Sequence, residues 1–259
     1  MNPWHSLAGR TILVTGGAGY LGSAVTEELD RSAGKVLCLD LPGKAAAFVR
    51  ERGLRNTLAY DVDLTDVAGL TPALDAIMNE HGVPDGVVHF AFASSAGKTV
   101  EELLPSDLDS TFCRALTPAF LLTRQVAERM RSRGSGSIVL YGSMYGMVSP
   151  DPRIYHLPMR PNPIDYGASK AAVIQMTKYF AVHYGASGIR VNCVTPGPFP
   201  NPNVQRAHPG LIADLSAKTA LRRIGVNSEI VGPTLFLLGD GASYVTGQSL
   251  VVDGGWTVW

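Results

Sequence analysis

The sequence predicts an α/β fold: a doubly wound parallel sheet of seven strands, covered by helices on both faces to give three layers. Three observations predict it. Apolar, β-branched runs recur with helical stretches between them, and their continuity marks strands buried on both faces. A glycine-rich turn joins the first of these runs to the first helical pattern. Finally, 259 residues that are 46% hydrophobic and 17% charged suffice for one large core, so a single domain spanning 1–259 is expected.

The elements follow in order. Thr11-Ile12-Leu13-Val14-Thr15 is the first strand, and Leu21, Val25 and Leu29 share one face of the helix after it. Lys35–Leu39 is the second strand, with a helix beginning near Gly43, and Thr57–Asp61 is the third, followed by a helix from about Asp66 to His81. Strands at Gly86–Ala91, Ser137–Tyr141, Arg190–Thr195 and Ser249–Val252 complete the sheet. One helix is expected from Pro105 to Arg133 and another from Asp165 to His183. No repeat, low-complexity tract or linker interrupts the pattern.

The turn Gly16-Gly17-Ala18-Gly19-Tyr20-Leu21-Gly22 has a physical purpose in this context. A strand that turns sharply into a helix aims free backbone N–H groups and the positive end of the helix dipole at one point, where a pyrophosphate can sit. Asp40 stands at the end of the second strand, where a carboxylate can accept hydrogen bonds from an adenosine ribose. Such a carboxylate repels a 2′-phosphate, which favours NAD(H) over NADP(H); Lys44 is the nearest cation. Capping the helix near Gly43 is the alternative use of Asp40. Farther along, Tyr166 and Lys170 lie one helical turn apart on a shared face. A phenol of pKa about 10 becomes a usable acid or base at neutral pH when a nearby cation favours the phenolate. An ordinary buried aromatic beside a snorkelling lysine would have the same spacing.

Taken with Asp63-Leu64, Ser143, Arg190-Val191-Asn192, Pro196-Gly197, Val245-Thr246-Gly247-Gln248 and Val252-Asp253-Gly254-Gly255, these motifs resemble the short-chain dehydrogenase/reductase family along nearly the whole chain. The resemblance implies a Rossmann-type domain, a nicotinamide cofactor, a small-molecule substrate and assembly as a homotetramer or dimer. It implies a catalytic set of Ser143, Tyr166 and Lys170, with Ser143 holding the substrate oxygen and Lys170 the nicotinamide ribose. Cofactor contacts are implied at Gly16, Gly19, Tyr20, Leu21, Gly22, Asp40, Asp63, Leu64, Ala91, Phe92, Ala93, Tyr166, Lys170, Pro196, Gly197, Phe199 and Asn201. Asp63 and Leu64 would meet the adenine, and Asn201 replaces a threonine that contacts the carboxamide.

Three departures stand out. Tyr20 occupies a glycine position of short members, and Val87-Val88-His89-Phe90-Ala91-Phe92 replaces their Asn-Asn-Ala-Gly; both resemble extended, nucleotide-sugar-modifying members, whose appended substrate domain 259 residues leave no room for. Ala115 aligns with an asparagine whose backbone helps hold a proton-relaying water, so a slower or rerouted proton path is expected. The stretch from Ser143 to Tyr166 is long and rich in proline and polar residues, and reads as a lid or wall for a polar substrate, a sugar or nucleotide sugar first, through Tyr145, Arg153, Tyr155, His156 and Arg160. A solvated loop or a subunit contact is the other reading of Arg153, His156 and Arg160.

A net charge of zero gives no reason to invoke nucleic acid or an acidic membrane surface. No apolar run approaches a membrane span and no signal segment opens the chain, so the expected location is the cytoplasm. Cys38, Cys113 and Cys193 share no pairing or ligand spacing, and no His, Asp and Cys grouping points to a metal. His89 reads as a histidine satisfied by backbone. The function expected is interconversion of a secondary alcohol and a ketone by hydride transfer. A lyase or epimerase using NAD transiently, and a cofactor-binding protein with weak turnover, are the alternatives.

Overall fold

The computed structural model describes residues 7–92, 94–95, 97–156 and 159–259. Its strands are β1 (Leu7–Thr15), β2 (Ala33–Asp40), β3 (Thr57–Asp61), β4 (Gly86–His89), β5 (Gly136–Tyr141), β6 (Ile189–Pro196) and β7 (Ser249–Val252). They hydrogen-bond in the order β3-β2-β1-β4-β5-β6-β7, every pair parallel. The helices are α1 (Tyr20–Ser32), α2 (Lys44–Arg52), α3 (Val67–His81), α4 (Pro105–Thr111), α5 (Thr117–Arg131), α6 (Ile164–Gly185), α7 (Pro202–Ala207), α8 (Pro209–Lys218) and α9 (Val231–Leu238). This is the doubly wound Rossmann architecture. Because the order of strands reverses between β1 and β4, the loops at their carboxyl ends part and leave a crevice there.

Side chains alternate along each strand, so the two faces of the sheet build separate cores. Leu13, Leu37, Val87, Ile138 and Val191 pack under Leu74 of α3, Leu122 of α5 and Phe180 of α6. Ile12, Val14, Val36, Val88 and Val194 pack under Val25 and Leu29 of α1 and Leu238 of α9. A third, smaller cluster forms above the carboxyl ends of the strands, where Met144, Tyr145 and Ile154 meet Leu211 and Leu215 of α8 and Trp256.

Two elements differ from the sequence expectation. β4 ends at His89 rather than Ala91; the Phe90 amide still donates to Thr15, but the chain then turns away along the crevice. The helix expected over 105–133 is split by a wide turn at Phe112–Leu116, in which the Thr117 amide reaches back to the Phe112 carbonyl. Pro118 supplies the reason. It has no N–H to continue regular bonding at the start of α5, and the backbone widens to satisfy the carbonyls before it.

Candidate active site

The crevice is a cleft of about 660 Å³ that runs from the turn before α1 to the wall formed by α8. Its floor exists because of two glycines. Gly16 has φ +70°, and a Cβ there would lie 2.9 Å from the Ala91 amide nitrogen. At Gly22 a Cβ would sit 2.2 Å from the Gly16 carbonyl oxygen. Without side chains at these two positions the turn closes tightly on itself and on Ala91, which brings the N-terminus of α1 to the edge of the cleft. Asp40 lines the same end, its carboxylate accepting from the Ala18 amide at 3.0 Å and the Leu41 amide at 2.9 Å. It does not cap α2, whose N-cap is Gly43, with the Gly43 amide donating to Asp61.

Midway along the cleft, α6 brings up Tyr166 and Lys170. Lys170 is 5% exposed; its ammonium donates to the Tyr141 carbonyl at 2.9 Å and lies 4.9 Å from the centre of the Phe92 ring and 5.9 Å from that of Tyr166. Burial pulls its pKa down to about 8. Burial pushes the Tyr166 phenol up, and the neighbouring Ser143 hydroxyl offsets part of that rise. The ammonium is turned to a backbone carbonyl, and Ser143 is the group that eases phenolate formation.

The start of α6 is fixed by a residue the sequence reading passed over. Asp165 is fully buried, and its Oδ2 accepts from the Ser95 amide at 3.0 Å, the Ser95 hydroxyl at 2.8 Å and the Thr111 hydroxyl at 2.5 Å. Burial alone would raise its pKa, but these donors outweigh it and hold the carboxyl below its usual value. The ionised form is thus the bonded one. Its stabilisation is present above the unfolded pKa of about 4 and fades as pH falls through the lower folded value. Replacing Asp165 by alanine strands the buried Thr111 hydroxyl and the half-buried hydroxyl and amide of Ser95, and should cost about 3 kcal/mol. Calorimetry should show the loss at neutral pH and a smaller difference from the parent in acid.

At the far end, the Tyr145 and Tyr155 hydroxyls share a 2.5 Å hydrogen bond, and Met159, Arg160, Asn162, Leu211 and Leu215 complete the wall. The stretch before Tyr166 therefore does form a side of the cleft. Two of its expected contacts are corrected. Arg153 is 85% exposed and paired with Asp151, and His156 is 68% exposed and paired with Asp214 at 3.0 Å; neither lines the cleft. Arg160 does, but Glu102 at 2.5 Å neutralises it, which weakens the case for an anionic substrate.

Cofactor positions divide in the same way. Gly16, Gly19, Tyr20, Leu21, Gly22, Asp40, Ala91, Phe92, Tyr166, Lys170, Pro196, Gly197, Phe199 and Asn201 all line the cleft. Asp63 and Leu64 do not: Leu64 is buried in the sheet's core, and Asp63 accepts from the amide and hydroxyl of Thr65. Ala93 lies outside the described residues. The Asn201 side-chain oxygen is taken up in capping α7, through the Asn203 and Val204 amides, so only its NH2 group remains for an amide ligand. His89 is bound by the Thr15 hydroxyl at 2.7 Å rather than by backbone. The sequence reading missed Asn162, Leu211 and Leu215; an apolar pair four residues apart was the available signal for the last two. Among the described residues, no group of His, Cys, Asp and Glu could hold a metal, and no helix is long and apolar enough to cross a membrane.

Comparison with known proteins adds the lineage. Residues 17–257 match the family model described as enoyl-(acyl carrier protein) reductase. D-threitol dehydrogenase of Mycolicibacterium smegmatis is 31% identical, over 97% of this chain and 94% of its own. The chain belongs to the short-chain dehydrogenase/reductase family. Cyclopentanol dehydrogenase of Comamonas testosteroni is 34% identical over 96% of this chain and 97% of its own. A short-chain dehydrogenase of Leptospira borgpetersenii with bound NAD+ superposes with a TM-score of 0.86 at 31% identity, covering 99% of this chain and 96% of that one. A gluconate 5-dehydrogenase of Burkholderia cenocepacia in complex with NADP and tartrate gives a TM-score of 0.87 at 25% identity, covering 99% and 98%. These relatives support a general NAD(P)-dependent oxidoreductase of alcohols and ketones.

Proposed function

We propose that this chain interconverts a small polar secondary alcohol, a polyol or a hydroxylated ring, and its ketone, with NAD(H) as the preferred partner. The observation that carries the reading is that Ser143, Tyr166 and buried Lys170 line one cleft, which Gly16 and Gly22 border at its other end. The glycine turn suits a pyrophosphate, since Gly16, Gly19 and Gly22 line the cleft where α1 begins and the backbone amides of a helix N-terminus favour an anion. A bound nicotinamide supplies or accepts the hydride. Tyr166 exchanges the proton with the substrate oxygen, Ser143 donates to that oxygen or to the phenolate, and Lys170 places a positive charge behind them.

Substrate size follows from the space available. The whole cleft falls within the roughly 300–1,000 Å³ typical of one ligand site, so a dinucleotide fills most of it and a second nucleotide has no room. That favours a small alcohol over a nucleotide sugar. The two tyrosine hydroxyls and Asn162 offer hydrogen bonds, while Met159, Leu211 and Leu215 offer apolar cover. Threitol, gluconate and cyclopentanol are accordingly the first compounds to test. NADH production or consumption should appear with at least one polyol or cyclic alcohol. Product formation with no net change in NADH would instead support an epimerase or lyase, and silence across the panel would sink the reading.

Asp40 underlies the cofactor preference. Its carboxylate faces the place of a 2′-phosphate, and Lys44 lines the same end of the cleft as a ready counter-charge. Replacing Asp40 by alanine should shift the NADP/NAD ratio of kcat/KM toward NADP by about tenfold or more, as expected when one like-charge contact of about 1.4 kcal/mol is removed. An unchanged ratio would separate Asp40 from cofactor choice.

A further inference from the structure

His89 is a buried polar residue that neither packing nor the cleft explains. It ends β4, opposite Thr15 of β1 and Leu140 of β5. Alternation along the strand points it, like Val87, into the layer beneath α5 and α6. The ring is 3% exposed; Nδ1 is engaged with the Thr15 hydroxyl, and Nε2 has no hydrogen-bond partner among the described residues. A leucine would fill the space without leaving a polar atom unmet.

Lys170 occupies that same layer from α6. Its ammonium has three hydrogens, and its hydrogen-bond acceptor is the carbonyl of Tyr141, the neighbour of the residue that pairs with His89. The two groups sense one another. Burial, and then the Lys170 charge, push the His89 pKa down to about 3, so the ring stays neutral at working pH. A neutral imidazole has one N–H and one lone pair, and a nearby cation decides between the tautomers. With Nδ1–H donating to the Thr15 hydroxyl, the tautomer a nearby cation favours, the Nε2 lone pair is left to face the ammonium. The wide turn at Phe112–Leu116 packs against α6 over this region, and its buried Ala115 presents a methyl group that can accept nothing.

We propose that His89 is a positioning residue for Lys170, its Nε2 accepting from the ammonium through one water, so that the charge is held in place behind Tyr166. This rests on the reading of Tyr166 and Lys170 as the proton-transfer pair. The other groups facing the two are Thr15 from β1, the Tyr141 carbonyl from β5, Cys193 from β6 and Tyr166 from α6. Cys193 stays a thiol because burial raises its pKa, and no carboxylate contributes to the shift of either Lys170 or His89.

The test begins on the full chain without substrate. Nitrogen-15 NMR of the imidazole should show a protonated Nδ1 and an Nε2 lone pair whose resonance moves in Lys170→Met. A protonated Nε2, or a resonance indifferent to Lys170→Met, overturns the proposal. Carbon-13 NMR at Lys170 Cε should then show the lysine titrating about one pH unit lower in His89→Leu, the size expected for loss of one acceptor, with recovery in His89→Asn. An unmoved titration in folded His89→Leu also overturns it. If His89→Leu does not fold, Thr15→Val, which frees the ring, should lower the same titration, and no change there counts against the proposal. In turnover, the alkaline limb of the pH profile should follow the lysine. Lysine shifts as expected with no oxidoreductase activity on any alcohol or ketone would sink the functional reading while leaving the His89–Lys170 contact intact.

Discussion

Tyr166→Phe should lower kcat by about 10²- to 10⁴-fold while leaving NADH affinity within about twofold of the parent, since a positioned proton donor contributes on that scale. The substitution removes one oxygen. The ring keeps its edge-to-face contact with Phe92, centroids 5.6 Å apart, and α6 keeps its anchor through Asp165, so the fold has no reason to change. What disappears is the hydroxyl proposed to trade a proton with the substrate oxygen, next to that of Ser143. Stopped-flow absorbance of NADH with an accepted ketone measures the first quantity, and fluorescence titration of NADH the second. Full turnover in Tyr166→Phe would remove the phenol from the chemistry. A parallel loss of NADH binding would show that the ring shapes the cofactor bed rather than the reaction.

Gly22→Ala should fail at the opposite end of the cleft. The new methyl group would lie 2.2 Å from the Gly16 carbonyl oxygen and 3.0 Å from the Gly17 Cα, and both are backbone that no side-chain rotation can clear. The turn must open. Overpacking of this kind costs about 1–3 kcal/mol, which corresponds to a NADH affinity about 5- to 150-fold weaker, with a lower melting temperature as well. Parent-like NADH titration of Gly22→Ala would mean that the turn is not the cofactor floor. Together the two variants separate binding from chemistry.

Sequence alone carried the fold because parallel strands buried on both faces leave continuous apolar runs, and those runs are the β1 to β7 that pair in the sheet. The glycine turn, Asp40 and the Tyr166/Lys170 pair were legible for a related reason. Each is a local pattern whose meaning is set within one strand, turn or helix. Contacts across the chain were not. Nothing near Arg153 or His156 in sequence announces that Asp214 of α8 takes the histidine, or that Lys218 joins Arg153 on Asp151. Leu64 looks like a loop residue until the packing of α3 draws it into the core. Asp165 was overlooked because its donors, Ser95 and Thr111, lie 70 and 54 residues away. The split between α4 and α5 had a local signal, Pro118, which the apolar periodicity around it obscured.

The cluster of Ile154, Leu211, Leu215 and Trp256 has its own apolar interior, separate from the two cores that stabilise the sheet. Energetically the molecule is therefore modular. If the wall formed by α8 meets the substrate, as proposed, a leucine there can be traded for a smaller or more polar side chain without touching the two cores of the sheet. In a lineage whose relatives carry names as different as threitol and cyclopentanol dehydrogenase, such insulation is a physical route to diversification on one scaffold.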